Sequence, residues 1–112
     1  MGNGSPRGQL ELMVLAILAD GPLHGYAVIT ELRRRSDEVF EVPEGTIYPV
    51  LHKLQQQGHI SSVWSDLGGR ARRTYRITRR GSAALEEQRR SWASFRTAVS
   101  RVLGEEPWPA TS

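Results

Sequence analysis

Apolar positions along this chain follow helical spacing three times, then turn sparse through a short region that reads as strands, then return to helical spacing. The first segment, residues 10–19, is apolar almost without interruption: Leu10, Leu12, Met13, Val14, Leu15, Ala16, Ile17 and Leu18. These are strong helix formers, and a helix apolar on every side must be buried on every side. In a small domain one face meets its own core. The opposite face then requires a second partner, for which another subunit is the natural candidate. Asp20, Gly21 and Pro22 break this helix. A second helix is predicted over residues 24–35, with Val28, Ile29 and Leu32 facing inward. Residues 36–43 read as a loop. A third helix covers residues 44–58, with Ile47, Leu51 and Leu54 on one narrow face. Its outer face carries Thr46, Tyr48, His52, Lys53, Gln55 and Gln56. Pro49 is read as first-turn, where a missing N–H does no harm. Gly58 is the expected C-terminal stop, followed by Ile60 as its hydrophobic contact.

Residues 61–65 read as a strand around Val63 and Trp64, and residues 74–77 as the returning strand. Residues 66–70 read as the turn between them, with Gly68 and Gly69, and the hairpin tip carries Arg70, Arg72 and Arg73 in a loop. Thr78 is a predicted N-cap for a last helix over residues 79–103, ended by Gly104. No internal repeat is present. The predicted class is mostly α with a small β-hairpin: a winged helix-turn-helix with a long C-terminal helix appended. Residues 7–78 form the expected winged domain and 79–104 the expected dimerisation helix. Residues 1–6 and 105–112 are expected to be disordered or flexible tails.

Composition narrows the chemistry. At 112 residues the chain is one domain with a modest core. The net charge is +3, and Lys53 is the only lysine, so arginine supplies nearly all the positive charge. Arginine binds phosphate bidentately and suits nucleic-acid surfaces. The absence of cysteine excludes disulfides, thiol nucleophiles and thiolate metal sites. Neither a serine at a strand-turn-helix elbow nor a glycine-rich phosphate loop is present, and Glu86–Glu87 and Glu105–Glu106 read as solvated pairs. An enzyme is therefore not expected, and no cofactor is implied. His24, His52 and His59 lack a further ligand at metal spacing, so no metal site is expected. The apolar run is too short to span a membrane, and no signal segment is visible, which makes a cytoplasmic protein the default.

Two constellations carry functional meaning. A helix with a polar, hydrogen-bonding face fits the DNA major groove, where base edges are read by donors and acceptors. Alone, it equally suits a solvated surface. Placed third of three helices and before an arginine-rich hairpin, it points to DNA. Thr46, Tyr48 and Pro49 stand at its start and His52, Lys53 and Gln56 further along. Arg70, Arg72 and Arg73 would follow a phosphate backbone or reach into a minor groove. In the last helix, Leu85, Trp92 and Val99 are seven apart, as are Phe95 and Val102, with Gln88 interrupting. That imperfect stripe matches the uncovered face of the first helix, and a dimer formed this way would present two reading helices to a palindromic operator.

The chain resembles the PadR family of bacterial transcriptional regulators, in its short form with one C-terminal helix. The resemblance lies in Arg7-Gly8-Gln9-Leu10-Glu11-Leu12, Pro22-Leu23-His24-Gly25-Tyr26 and Glu44-Gly45-Thr46-Ile47-Tyr48-Pro49. It continues through Leu51 to Gly58-His59-Ile60, then Gly69-Arg70 and Tyr75-Arg76-Ile77-Thr78-Arg79-Arg80-Gly81. The family's wing often runs Gly-Arg-Pro-Arg-Lys-Tyr-Tyr, where this chain has Gly69-Arg70-Ala71-Arg72-Arg73-Thr74-Tyr75, without the stiffening proline. The resemblance implies a homodimeric repressor of double-stranded DNA, with the last helix packed on the partner's first helix. It also implies a small aromatic effector held between the subunits, with Trp92 flanking it and Leu12, Ala16 and Phe95 as walls. Two alternatives stay open: a winged helix used for protein–protein contact, and a constitutive DNA-binding protein without an effector.

Overall fold

The computed structural model describes residues 6–66 and 71–105; Arg70 and most of the two expected tails lie outside them. Seven elements follow in order: α1 (Pro6–Leu18), β1 (Leu23–His24), α2 (Gly25–Arg35), α3 (Glu44–Gln56), β2 (Ile60–Ser65), β3 (Arg72–Ile77) and α4 (Arg79–Leu103). This is the expected winged helix-turn-helix with its long last helix. One addition is a third strand. β1 pairs antiparallel with β3, so the sheet order is β1-β3-β2, with Leu23 opposite Tyr75 and His24 opposite Thr74. Two residues between a turn and a helix carry no periodicity, which is why the pattern alone reads as a hairpin.

α1 occupies the centre. Val14, Leu15, Ile17 and Leu18 meet Val28 and Leu32 of α2, Ile47, Val50, Leu51 and Leu54 of α3, and Ile60, Tyr75 and Leu85. Each such aliphatic side chain contributes about 1.5–3 kcal/mol by leaving water. The remaining face of α1, with Leu12, Met13 and Ala16, is only half-buried within one chain. These three residues pack against the core of their own chain, so the pattern's uncovered side of α1 is in the structure a partly covered one.

The end of α3 and the start of α4 are locked together. Gly58 has φ 79°, and its N–H and that of His59 close the helix onto Gln55 and Leu54. Thr78 donates its hydroxyl to the Gly58 carbonyl at 2.6 Å and accepts from the Gly81 N–H at 3.0 Å, so it caps α4 while holding α3. A Cβ at Gly81 would collide with the His59 carbonyl oxygen; only glycine lets α4 cross here. Pro49 requires a correction. It lies in the second turn of α3, inside the helix, and so has no N–H to give the Gly45 carbonyl.

Beyond Leu85, no residue of α4 is buried. Trp92, Phe95, Val99, Val102 and Leu103 are all exposed on this distal half, and the molecule extends 62 Å along its long axis. None of the described helices is long and apolar enough to cross a membrane.

Candidate nucleic-acid interface

The sequence-predicted residues of α3 separate into two ridges. Tyr48, His52 and Gln56 follow one another at four-residue spacing and are exposed. Thr46, Pro49 and Lys53 form a second ridge that lines a groove with Leu10, Glu11 and Val50 on the α1 side. Lys53 is engaged there: its Nζ lies 2.9 Å from Glu11, whose side chain is only 12% exposed. The ion pair ties α3 to α1 and directs the lysine away from the first ridge. Gln55 is also occupied, accepting from the Ser62 hydroxyl at 2.8 Å, which ties α3 to β2.

On the other side of the first ridge is a cleft of about 680 Å³, lined by His24, Gly25, Tyr26, Tyr48, Trp64, Ala71, Arg72, Arg73 and Tyr75. It joins the start of α2, the start of α3 and the wing. Its shape follows from local sequence. His24 precedes α2 in extended conformation, and its Nδ1 accepts from the Ala27 N–H at 3.2 Å, capping the helix and leaving the ring proton on Nε2. Gly25 then lets the Tyr48 ring lie directly on the helix start. A Cβ at Gly25 would sit 2.6 Å from Tyr48 Cε1 and 2.8 Å from its hydroxyl oxygen. Burial, and secondarily the negative charge of Glu44 and the neighbouring Tyr75, push the Tyr48 phenol above its ordinary value of 10.0. At neutral pH it remains a protonated hydroxyl able to donate.

Arg72 and Arg73 are strand residues of β3 rather than part of the turn, as the sequence suggested. Arg72 is exposed. Arg73 stands opposite Trp64 in the register, and its guanidinium carbon lies 4.8 Å from the centre of the indole ring. The Arg73 Nε is buried without a hydrogen-bond partner, while Trp64 is 65% exposed. The pair forms a cationic, flat-faced wall of the cleft. Sequence reasoning missed His24, Tyr26 and Trp64. Tyr26 sits in the Pro22–Tyr26 motif, and its position two residues past the cap was the available signal.

The most basic run, Arg33-Arg34-Arg35, is engaged elsewhere. Arg34 and Arg35 bind Glu31, Arg35 also reaches Asp20 at 2.9 Å, and Arg33 pairs with Glu38. Hydrogen bonds from Arg34 first and Arg35 second hold the Glu31 carboxyl down at about 2.

The residues expected around an effector are only partly brought together. Trp92 lines a groove of about 240 Å³ with Gly8, Gln9, Glu11, Leu12, Gln88 and Ser91. Its ring lies 6.0 Å from that of Phe95. Ala16 instead lines a different groove with Met13, Ile17 and Phe40, and Leu85 is buried in the core of its own chain.

Three helices, a small sheet with a basic wing, and a polar third helix beside that wing define a winged-helix regulator of the DNA-binding class. The family model of the PadR-like transcriptional regulators matches residues 14–87. The chain is 41% identical over 85 residues to transcriptional regulator Rv3488 of Mycobacterium tuberculosis, covering 76% of this chain and 77% of that one. The crystal structure of a PadR-like transcriptional regulator from Bacillus cereus superposes with a TM-score of 0.75 at 33% identity, covering 88% of this chain and 95% of that one. A PadR family transcriptional regulator from Eggerthella lenta gives a TM-score of 0.76 at 31% identity, covering 89% and 86%. The chain belongs to the PadR-like family of transcriptional regulators, a family of regulators and not of enzymes.

Proposed function

We propose that this protein is a sequence-specific, homodimeric repressor acting on DNA in the cytoplasm, with residues 7–78 as its DNA-binding unit and 79–104 as its dimerisation helix. α3 enters the major groove. His52 and Gln56 face the base edges, while Thr46, Pro49 and Lys53 run beside the backbone. The sugar-phosphate backbone passes through the cleft between α3 and the wing. There Tyr48 and Tyr26 donate hydroxyls, and Arg72 and Arg73, together with Arg70, neutralise phosphates. The observation that carries this reading is the convergence of three hydrogen-bond or charge donors from two separate elements, Tyr48 of α3 and Arg72 and Arg73 of β3, on one open cleft beside a polar helix face.

Release follows from the second constellation. α4 of each subunit packs on α1 of the other, and Trp92 with Phe95, Val99 and Leu12 borders a cavity between the subunits. A flat aromatic effector stacking there alters the spacing of the two reading helices and frees the operator. The apolar stripe of α4, exposed in one chain, supports the dimer, and the Trp92–Phe95 pair supports the aromatic ligand.

The test is a footprint on DNA upstream of the protein's own gene, followed by a salt titration and repeated with a panel of aromatic compounds. Counterion release predicts a steep loss of affinity with salt. Absent or salt-insensitive binding would overturn the DNA reading in favour of protein–protein contact. A protected site that no compound in the panel releases would favour a constitutive regulator.

A further inference from the structure

Trp64 is out of keeping with its place in the sheet. β2 runs Ile60-Ser61-Ser62-Val63-Trp64-Ser65, and only Ile60 of these reaches the core. Trp64 is 65% exposed. A tryptophan left in water loses most of the stabilisation that burial would give it, so packing does not account for this residue type here. Its cross-strand neighbour does. Trp64 stands directly opposite Arg73 in the register of β2 and β3, and the guanidinium carbon lies 4.8 Å from the centre of the indole ring. Directly opposite residues are the closest side chains across two strands, so strand register itself sets this stack.

The stack constrains the arginine in a particular way. Arg73 Nε is buried and has no hydrogen-bond partner, which leaves the terminal Nη groups to donate to a ligand. An arginine free in water samples many rotamers and loses that freedom when it grips a phosphate. Arg73 has given up much of it already, against the face of the indole. The arginines of α2 are also held, but by Glu31, Glu38 and Asp20, whose carboxylates occupy the donors a phosphate would use. An aromatic face holds the cation and occupies none of its donors. The wing is fixed relative to α3 as well. Ser62 and Trp64 fall on one face of β2, and the Ser62 hydroxyl donates to the Gln55 side chain at 2.8 Å. Further along that face, Trp64 lines the cleft with Arg73, Tyr26 and Tyr48.

Resting on the path of the DNA backbone through that cleft, we propose that Trp64 is a positioning residue of the wing: its indole holds the Arg73 guanidinium ready, with the Nη groups directed at a phosphate. Trp64 thereby adds affinity for DNA of any sequence without adding charge. The bond between Ser62 and Gln55 keeps the prepared arginine at a set distance from the reading helix, so the phosphate grip and the base contacts of α3 are made together.

The test compares full-length wild type, Trp64→Leu, Trp64→Phe, Arg73→Ala and the Trp64→Leu, Arg73→Ala double variant. Binding is read by fluorescence anisotropy across a salt series, on the footprinted upstream fragment and on a random-sequence duplex of equal length. Trp64→Leu should weaken both by about fivefold and leave the salt slope at its wild-type value, since no charge is lost. Trp64→Phe keeps an aromatic face and should recover most of that loss. Arg73→Ala should lower the slope by about one, and Trp64→Leu added to it should cost nothing further. An equal loss in the Arg73→Ala background, a changed slope in Trp64→Leu, or phenylalanine no better than leucine overturns the positioning role while leaving the DNA reading intact. Arg73→Ala with wild-type affinity and slope overturns the path of the backbone, and the proposal with it. A second arm needs no DNA. The Arg73 Nε–H signal, identified by its loss in Arg73→Lys, should lie upfield in the proton–nitrogen correlation spectrum through the ring current of Trp64, and should move back in Trp64→Leu. A signal that Trp64→Leu does not move means no stack in solution and overturns the proposal independently of DNA binding.

Discussion

Gly25→Ala separates the fold from the interface. The added Cβ would stand 2.6 Å from Tyr48 Cε1 and 2.9 Å from Cζ, where ordinary contact begins near 3.4 Å. The neighbour is a side chain that reaches solvent, so the ring moves out by roughly 1 Å and the backbone stays. Alanine is also favoured over glycine in helices by up to about 1 kcal/mol, which offsets the lost packing. Stability should therefore change by no more than about 1 kcal/mol, a melting shift of a few degrees. Binding should respond differently. A hydrogen bond to a charged phosphate contributes about 1.5–3 kcal/mol, and a displaced hydroxyl forfeits most of it. Operator affinity should fall by roughly ten- to a hundredfold. Fluorescence anisotropy with labelled operator, alongside thermal melts, measures both. The decisive comparison is the double variant. In a Tyr48→Ala background, Gly25→Ala should cost almost nothing more, because the displaced ring is already gone. A full additional loss there, or unchanged binding in the single variant, would refute the role given to Tyr48.

Gly81→Ala should act on the fold instead, since the His59 carbonyl it meets belongs to the locked α3–β2 junction; a loss of at least about 2 kcal/mol, visible as a melting point lower by roughly 10 °C, is expected. Replacing Arg72 and Arg73 together with alanine should weaken binding to all DNA and reduce the salt slope by up to ~2, whereas His52→Ala or Gln56→Ala should shift preference among operator variants. Equal effects on every DNA sequence would contradict that division. Glu11→Gln releases Lys53 from its 2.9 Å ion pair, so affinity for DNA in general should rise and the salt slope steepen by about one, as read from binding across a salt series. Glu31 has its folded value lowered from 4.5 to about 2, so its ion pairs stabilise the fold above pH 4.5 and that contribution fades as pH falls toward 2; Glu31→Gln should flatten acid unfolding within that window, followed by circular dichroism.

What the sequence determined by itself was local. The inward stripe of Ile47, Leu51 and Leu54, the Gly58 stop, the Thr78 cap and the extent of α4 depend on residues a few positions apart, and each stands where periodicity and capping chemistry put it. The arginines of the wing were visible as a charge cluster for the same reason. Tertiary structure decided which side chains meet. That Leu23 and His24 form a third strand, that Tyr48 lies on Gly25, that Arg73 stacks on Trp64 and that Lys53 is held by Glu11 all join residues from separate elements. Helical spacing assigns a residue to a face but not to a neighbour, so the polar positions of α3 read as one surface until packing set Tyr48, His52 and Gln56 apart from Thr46 and Lys53 and tied Gln55 to Ser62. The same limit explains why Ala16 and Trp92, expected around one cavity between subunits, line different grooves within one chain. Backbone propensity is settled within a turn or two of helix, whereas the partner of a side chain depends on how the whole core closes.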